Sequence, residues 1–369
     1  MLHSTFKNRL AEIDWNSAKE LIDGTSTAQV EQALYKTGKR TLTDFAHLIS
    51  PAATPFVEEI ARLSNRSTLQ RFGNTVQLYA PMYLSNECQN ICTYCGFSFD
   101  NKIDRLTLSD AQIISEYEAI KTLGFDHILL VTGEANKTVH TDYIGHAIDL
   151  AKSYFSNITI EVQPLEQADY EFLKQKGLYA VLVYQETYNR EKYPTYHPKG
   201  KKSNFDYRLE TAERIGRAGI HKIGLGVLLG LEDWRVDSFF TAMHLDFLEK
   251  LFWQLKFSIS FPRIRPNESC FEPNVIMSDR ELAQLIGAYR LFNENVELSL
   301  STRESKAFRD NAFRLGITSM SAGSKTDPGG YSLKAHALEQ FAIDDNRTPQ
   351  QFARKIKESG YEAVWKDWF

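Results

Sequence analysis

The stretch VQLYAPMYLSNECQNICTYCGF, Val76–Phe97, carries the start of a fold and the start of its chemistry. Val76–Leu84 is a near-continuous apolar run of strand length, and three cysteines follow it at Cys88, Cys92 and Cys95. Three thiolates at C-x3-C-x2-C spacing can each hold one iron of a 4Fe-4S cluster, leaving the fourth iron open for a cofactor or substrate. An open iron implies reaction chemistry rather than bracing. A structural zinc site would need a fourth Cys or His close by, and the next candidate, His127, sits in an apolar run of its own. Cys270, in PNESC, has no cysteine neighbour and reads as an ordinary free thiol. Four cysteines in 369 residues, with no secretory pattern, set the expectation of a reduced, cytoplasmic protein rather than a disulfide framework.

Outward from Val76, the texture repeats. Short β-like runs occur at His127–Thr132, Ile158–Gln163, Ala180–Gln185, Lys222–Leu229, Leu255–Ser260, Val296–Ser301 and Gly316–Ser321, separated by segments of helical period. Near-continuous apolar strands alternating with helices indicate a parallel sheet covered on its outer face. Eight such units predict an α/β fold of the (β/α)8 TIM-barrel type. The first 70 residues have amphipathic helical stretches near Trp15–Ile22, Thr27–Tyr35, Thr41–Ile49 and Phe56–Leu63. They are expected to form an N-terminal helical extension over 1–70, ahead of a barrel with a C-terminal tail over 71–369. No linker-like tract or short-period repeat marks any other boundary.

Each apolar run ends in polar, charged or glycine residues: Gly133 and Glu134, Gln163, Gln185 and Glu186, Gly230 with Asp233, Arg263 and Arg265, Arg303 and Glu304, and Ser321 to Lys325. In a parallel barrel these ends share one face, where active sites of this fold form. With 43 basic and 47 acidic residues the net charge is -4, and no basic block suggests nucleic acid or an anionic membrane as partner. The longest apolar stretch, Ile223–Leu231, is too short to span a bilayer.

The cysteine spacing, with the aromatic Tyr94 before the last cysteine, resembles the signature of the radical S-adenosylmethionine (SAM) enzymes. The resemblance implies a 4Fe-4S cluster with SAM on its open iron. Gly133-Glu134 resembles the glycine-glutamate motif of that superfamily, so Glu134 is expected to accept from the SAM ammonium while Gly133 allows close backbone approach. Glu161 or Gln163 would hold the ribose hydroxyls, and Tyr94 would present its backbone to the adenine amino group. Gly226, in the glycine-rich segment Gly224–Asp233, would lie against the adenine; its alternative is a glycine for close packing. The segment is not a dinucleotide fingerprint, because its spacing is GxGxxxG.

The runs RFGNTVQLYAPMYLSNEC, CTYCGFS, LLVTGE, EVQPL, VYQETY, GKK, RLETAERIGRAGI, KIGLG, SFPRIRP, ELSLSTRES, SKTDPGGY and VWKDW look like the 2-iminoacetate synthases, the tyrosine lyases of thiamine thiazole biosynthesis. That resemblance, from about Arg71 to Trp368, implies cleavage of L-tyrosine at Cα-Cβ to 2-iminoacetate and p-cresol. It also implies thiazole synthase as a protein partner and a flavodoxin or ferredoxin as electron donor. A zwitterionic substrate needs a planar cation for its carboxylate. Arg303 is expected to supply it with Ser321 as a helper, and Arg263, Arg265 and Lys325 compete for the role. An ion pair of Arg303 with Glu304 is the structural alternative. Glu186 is expected to bind SAM or take a proton. The stretch Tyr188, Tyr193, Tyr196 and His197 reads as a packed loop more readily than as a cover. The tyrosine lyase of hydrogenase maturation needs further cysteines for a second cluster, and only Cys270 follows Cys95. A lyase for tryptophan, a synthase joining tyrosine to a flavin precursor, and a non-catalytic iron-sulfur or zinc scaffold complete the alternatives.

Overall fold

The computed structural model describes residues 5–267, 269–333 and 339–366. Glu268 of PNESC and the last two residues of the VWKDW run lie outside the described residues. The strands are β1 (Thr75–Ser85), β2 (His127–Thr132), β3 (Asn157–Glu161), β4 (Ala180–Leu182), β5 (Lys222–Gly226), β6 (Lys256–Ser260), β7 (Glu297–Leu300), β8 (Ser319–Ser321) and β9 (Glu362–Val364). They pair in parallel in the order β2-β3-β4-β5-β6-β7-β8-β1-β9. The further pairing of β1 with β2, Ala80 opposite Ile128, closes the first eight into a barrel.

Several expected strands are shorter in the structure. β3 stops at Glu161 and β4 at Leu182. β9 was not foreseen: three residues of the tail run alongside β1, Val76 opposite Ala363, too short a segment to show a period. It covers what would otherwise be an open stretch at the start of β1.

The N-terminal helices lie against the barrel's own helices. Those at Trp15–Asp23, Thr27–Leu34, Leu42–Ile49 and Val57–Phe72 match the expected stretches, and a short helix at Phe6–Leu10 precedes them. Ser26 with Gln29, and Thr41 with Asp44, form capping boxes that fix two of the helix starts. The buried Gln284 side chain of the helix Asp279–Phe292 donates to the carbonyls of Leu48 (2.9 Å) and Ser50 (3.0 Å). Phe6 stacks on His244 of the helix Trp234–Leu251 with ring centroids 3.8 Å apart. Extension and barrel share one hydrophobic core. Among the described residues no helix is long and apolar enough to cross a membrane.

The barrel interior departs from the usual filling by bulky branched side chains. A Cβ on Gly224 would lie 2.2 Å from Leu182 Cδ2, and one on Gly226 would lie 3.0 Å from the Tyr184 ring. The two glycines of KIGLG therefore let Leu182 and Tyr184 lie across β5.

Candidate active site

The loop after β1 is shaped by side chains rather than by regular structure. Arg105 donates from Nη1 to the carbonyls of Asn86 (2.6 Å) and Phe97 (2.9 Å) and from Nη2 to those of Ser98 (2.7 Å) and Asn101 (3.3 Å). One guanidinium thus ties both flanks of the cysteine motif. Cys88, Cys92 and Cys95 all line one cavity of about 1000 Å³ at the C-terminal mouth of the barrel.

Burial pushes the Cys88 thiol up to about 11 and raises Cys92 and Cys95, with Lys202 partly offsetting it at the last two. Metal-free, the three stay protonated at neutral pH, so binding of iron must displace their protons. Among the described residues no three His, Cys, Asp or Glu side chains converge as ligands of a single ion. A cluster instead spreads its thiolates over separate irons. Three thiols around one recessed cavity fit such a group, and so does Gly133. A Cβ there would sit 2.2 Å from Glu87 O and 3.3 Å from Cys88 Cβ, so the end of β2 and the cysteine loop meet backbone to backbone. Gly133→Ala is expected to displace that loop and lower reconstituted iron per chain by at least about half, with the circular dichroism unchanged. Full iron content in that variant would show the contact to be unimportant.

Glu134 accepts from Asn90 Nδ2 (2.7 Å) and from Arg208 Nη1 (2.8 Å). Glu186 accepts from Lys202 Nζ (2.7 Å) and more distantly from Arg208 Nη2 (3.5 Å). The four groups form one alternating network on the cavity wall. Glu186 sits at φ 71, a conformation that costs a non-glycine residue about 1–3 kcal/mol and persists where the surroundings enforce it. Burial raises the Glu186 carboxyl, but Lys202 and Arg208 outweigh it and hold the group below its ordinary value. A carboxylate pinned by two cations is a poor base. In this structure Glu186 holds Lys202 and Arg208 in place, an arrangement that favours its charged form.

Arg303 occupies the junction between this cavity and an inner chamber of about 620 Å³ bounded by Tyr79, Ser299 and Ser321. Its guanidinium lies over the Phe341 ring, 3.3 Å from the centroid. The alternative ion pair with Glu304 is absent: the buried Glu304 is taken by Arg263 and by Arg265, the latter at 3.1 Å. Among the described residues no carboxylate lies within ion-pair distance of Arg303, and the residue lines both spaces. Of the three competitors, Arg263 also pairs with Asp279 (2.7 Å), Lys325 is exposed, and Arg265 lines the cavity but is paired with Glu304. Ser321 Oγ accepts from Thr302 N (3.1 Å) and from Ser324 Oγ (3.1 Å), shaping the Arg303 loop. Removing the stacked ring, as in Phe341→Ala, is expected to raise KM for the amino acid substrate about tenfold, the scale of a desolvated cation–π contact. An unchanged KM would dismiss Phe341 as the positioner of Arg303.

Glu161 faces both spaces, and burial pushes its carboxyl up to about 7, with Arg303 partly offsetting. A carboxyl raised on folding contributes stability that is complete below its unfolded value and is lost as pH rises toward 7. Glu161→Gln is therefore expected to raise the melting temperature of the ligand-free protein at pH 8 and to leave it unchanged at pH 4. A fall at pH 8 would contradict the assignment.

Two of the residues expected at the site do not line this cavity. Gln163 is turned away from the cavity: Nε2 donates to Val139 O (2.5 Å), and the residue borders a separate cleft with Pro164 and Glu166. It lies two positions beyond the inward-facing Glu161, past the end of β3, where strand alternation no longer sets the direction of the side chain. Gly226 does not line the cavity, because Tyr184 covers it; its glycine serves close packing. Tyr94 does line the cavity, with its hydroxyl 2.8 Å from His197 Nε2 and its carbonyl accepting from Asn267 Nδ2 (2.9 Å). Tyr188, Tyr193 and Tyr196 are buried and bonded to His244, Lys202 O and Glu232, as a packed loop requires.

Lys202, Arg208, Asn90 and Phe341 were not singled out in the sequence. Lys202 and Arg208 stand in GKK and at the head of RLETAERIGRAGI, yet their spacing marks no strand end. They reach the site from the segment between β4 and β5, and only the fold shows that.

The radical SAM superfamily model matches residues 82–242, and the Biotin and Thiamin Synthesis associated domain matches residues 260–362. The chain is 49% identical to 2-iminoacetate synthase of Escherichia coli strain K12, covering 99% of this chain and 97% of that one. It is 48% identical to the enzyme of the same name from Salmonella typhimurium strain LT2, with the same coverage. The solved FeFe-hydrogenase maturase HydG from Carboxydothermus hydrogenoformans superposes with a TM-score of 0.85 at 29% identity, covering 98% of this chain and 83% of HydG.

Proposed function

Because the chain belongs to the 2-iminoacetate synthase family of radical SAM lyases, we propose that it cleaves the Cα-Cβ bond of L-tyrosine to 2-iminoacetate and p-cresol. In this reading Cys88, Cys92 and Cys95 hold three irons of the 4Fe-4S cluster, and SAM takes the fourth. When bound and reduced, this pair supplies a 5'-deoxyadenosyl radical that abstracts hydrogen from the substrate.

The chain's own residues do the rest. Glu134 receives the SAM ammonium beside the cysteines, Glu161 faces the ribose, and Lys202, fixed by Glu186, offers a cation to the SAM carboxylate. Arg303 clamps the tyrosine carboxylate in a bidentate fork at the boundary of the two spaces. The substrate amino group then faces the cysteine cavity and the ring points into the inner chamber, where Tyr79, Tyr184 and Ser299 supply hydroxyls for the phenol. The recessed site keeps water from the reactive species. Thiazole synthase as recipient of the imine, and a flavodoxin- or ferredoxin-type electron donor, are the partners this chemistry requires.

The observation that carries the reading is the half-buried Arg303, its guanidinium stacked on Phe341 and without a carboxylate partner among the described residues, at the junction of a cysteine-lined cavity and a ring-sized chamber. The test offers tyrosine, tryptophan and phenylalanine separately to the reconstituted enzyme under anaerobic conditions with SAM and a reductant. Substantial deoxyadenosine with tyrosine alone is expected. Preference for tryptophan would move the enzyme to another aromatic amino acid lyase.

A further inference from the structure

Glu186 lines the cavity with its carboxylate, but its backbone is held from outside the cavity. Beyond β4 the chain still runs beside the end of β5: Gln185 N donates to Gly226 O (3.1 Å), and Leu228 N donates to Glu186 O (2.9 Å). At Glu186 the chain enters the left-handed region, with φ 71. The next two residues are gripped by the helix Trp234–Leu251. One oxygen of Asp237, in the first turn of that helix, accepts from Thr187 Oγ1 (3.0 Å) and from Tyr188 N (2.7 Å). About two turns further along the helix, His244 Nδ1 meets the Tyr188 hydroxyl (2.9 Å). Asp237, Thr187 and Tyr188 are all buried, and Asp237 does not line the cysteine cavity. Burial pushes the Asp237 carboxyl well above the usual carboxylate range, and the hydrogen bonds from Tyr188 and Thr187 offset that only in part.

We propose that Asp237 is a positioning residue for SAM, holding Thr187 and Tyr188 so that Glu186 keeps its left-handed backbone and its carboxylate stays on Lys202. The inference rests on the reading above, in which Lys202 receives the SAM carboxylate and Glu134 its ammonium. A non-glycine residue stays at positive φ only where its surroundings enforce it. For Glu186 one flank is fixed by the end of β5 and the other by Asp237. With Asp237 truncated, the Tyr188 N–H and the Thr187 hydroxyl are left buried without their acceptor, and the segment moves to relieve them. Glu186 then relaxes toward negative φ, and rotation about its N–Cα bond carries the carboxylate away from Lys202, 2.7 Å distant in the intact protein. The released ammonium has Glu134 as the remaining carboxylate of the network. A Lys202–Glu134 pair occupies both groups that SAM needs.

The test measures binding rather than turnover, by anaerobic equilibrium dialysis of labelled SAM, and separately of labelled tyrosine, against the unreduced, cluster-loaded enzyme. Asp237→Ala is expected to weaken SAM at least tenfold and to leave tyrosine affinity within about twofold. Asp237→Asn keeps an oxygen for both donors and is expected to restore SAM affinity to within about threefold of the unsubstituted protein. Because Asp237 acts through Glu186, D237A/E186Q is expected to bind SAM no more weakly than E186Q alone. Thr187→Val removes one of the two donors and is expected to weaken SAM at least threefold, should D237A lose iron or helical signal. Unchanged SAM affinity in a folded, iron-loaded D237A or T187V overturns the proposal. So does an equal loss of SAM and tyrosine affinity, or a loss in D237A that adds in full to that of E186Q, since mere bracing of the fold produces either. Full SAM affinity in Lys202→Ala would instead defeat the SAM-site reading itself.

Discussion

Alanine at Cys88, Cys92 or Cys95 is expected to abolish SAM cleavage altogether. The three side chains approach one cavity from a loop that Arg105 fixes at four carbonyls, so loss of one thiol leaves the other two in place with one iron unligated. Changing a residue that merely supports a metal ligand costs roughly 10- to 100-fold. Removal of the ligand itself exceeds that. Deoxyadenosine from each variant is measured by chromatography alongside iron content and the circular dichroism of the fold. Normal turnover in any of the three would end the cluster assignment. Cys270→Ser is the control: Cys270 is exposed, far in sequence from the motif, and its loss is expected to leave iron content unchanged.

Arg303→Ala carries the second large effect. Its side chain is half-buried at the junction of the two spaces, and desolvation already pulls it below its ordinary value, so the site gains from an incoming carboxylate. Truncating one partner of a buried, hydrogen-bonded charge pair costs about 2 to 5 kcal/mol. At 1.4 kcal/mol per factor of ten, tyrosine affinity falls roughly 30-fold to several thousand-fold. SAM cleavage without tyrosine should continue at its slow uncoupled rate, because Arg303 is not part of the Glu134–Arg208–Glu186–Lys202 network. Arg303→Lys keeps the charge but loses the planar fork and is expected to recover only part of the affinity. Equal tyrosine affinity in Arg303→Ala would place the carboxylate elsewhere.

The barrel was legible in the sequence because its strands are largely buried and read as near-continuous apolar runs between helical segments. The cysteine loop was legible because ligand spacing is local. Strand ends were less so: Gln163 and Glu161 differ by two positions in EVQPL, and whether each faces the cavity depends on where β3 stops pairing. Gly226 was ambiguous in the same way, since a glycine that admits a ligand and one that admits Tyr184 look alike in a run of residues. Lys202, Arg208 and Phe341 reach the site from segments between strands or from the C-terminal region, and no period in the sequence announces such contacts. Glu186 does line the cavity, but its electrostatics depend on two cations that only the fold brings to it.

The central claim is that one cavity joins a radical-generating cluster to a site that breaks the Cα-Cβ bond of tyrosine. It is tested most directly by anaerobic turnover of two samples of tyrosine, one carrying carbon-13 at Cα and one at Cβ, with products read by mass spectrometry. The account predicts the Cα label in glyoxylate and the Cβ label in the methyl group of p-cresol, with deoxyadenosine formed alongside. Deoxyadenosine with no p-cresol, or both labels retained in one product, would contradict it.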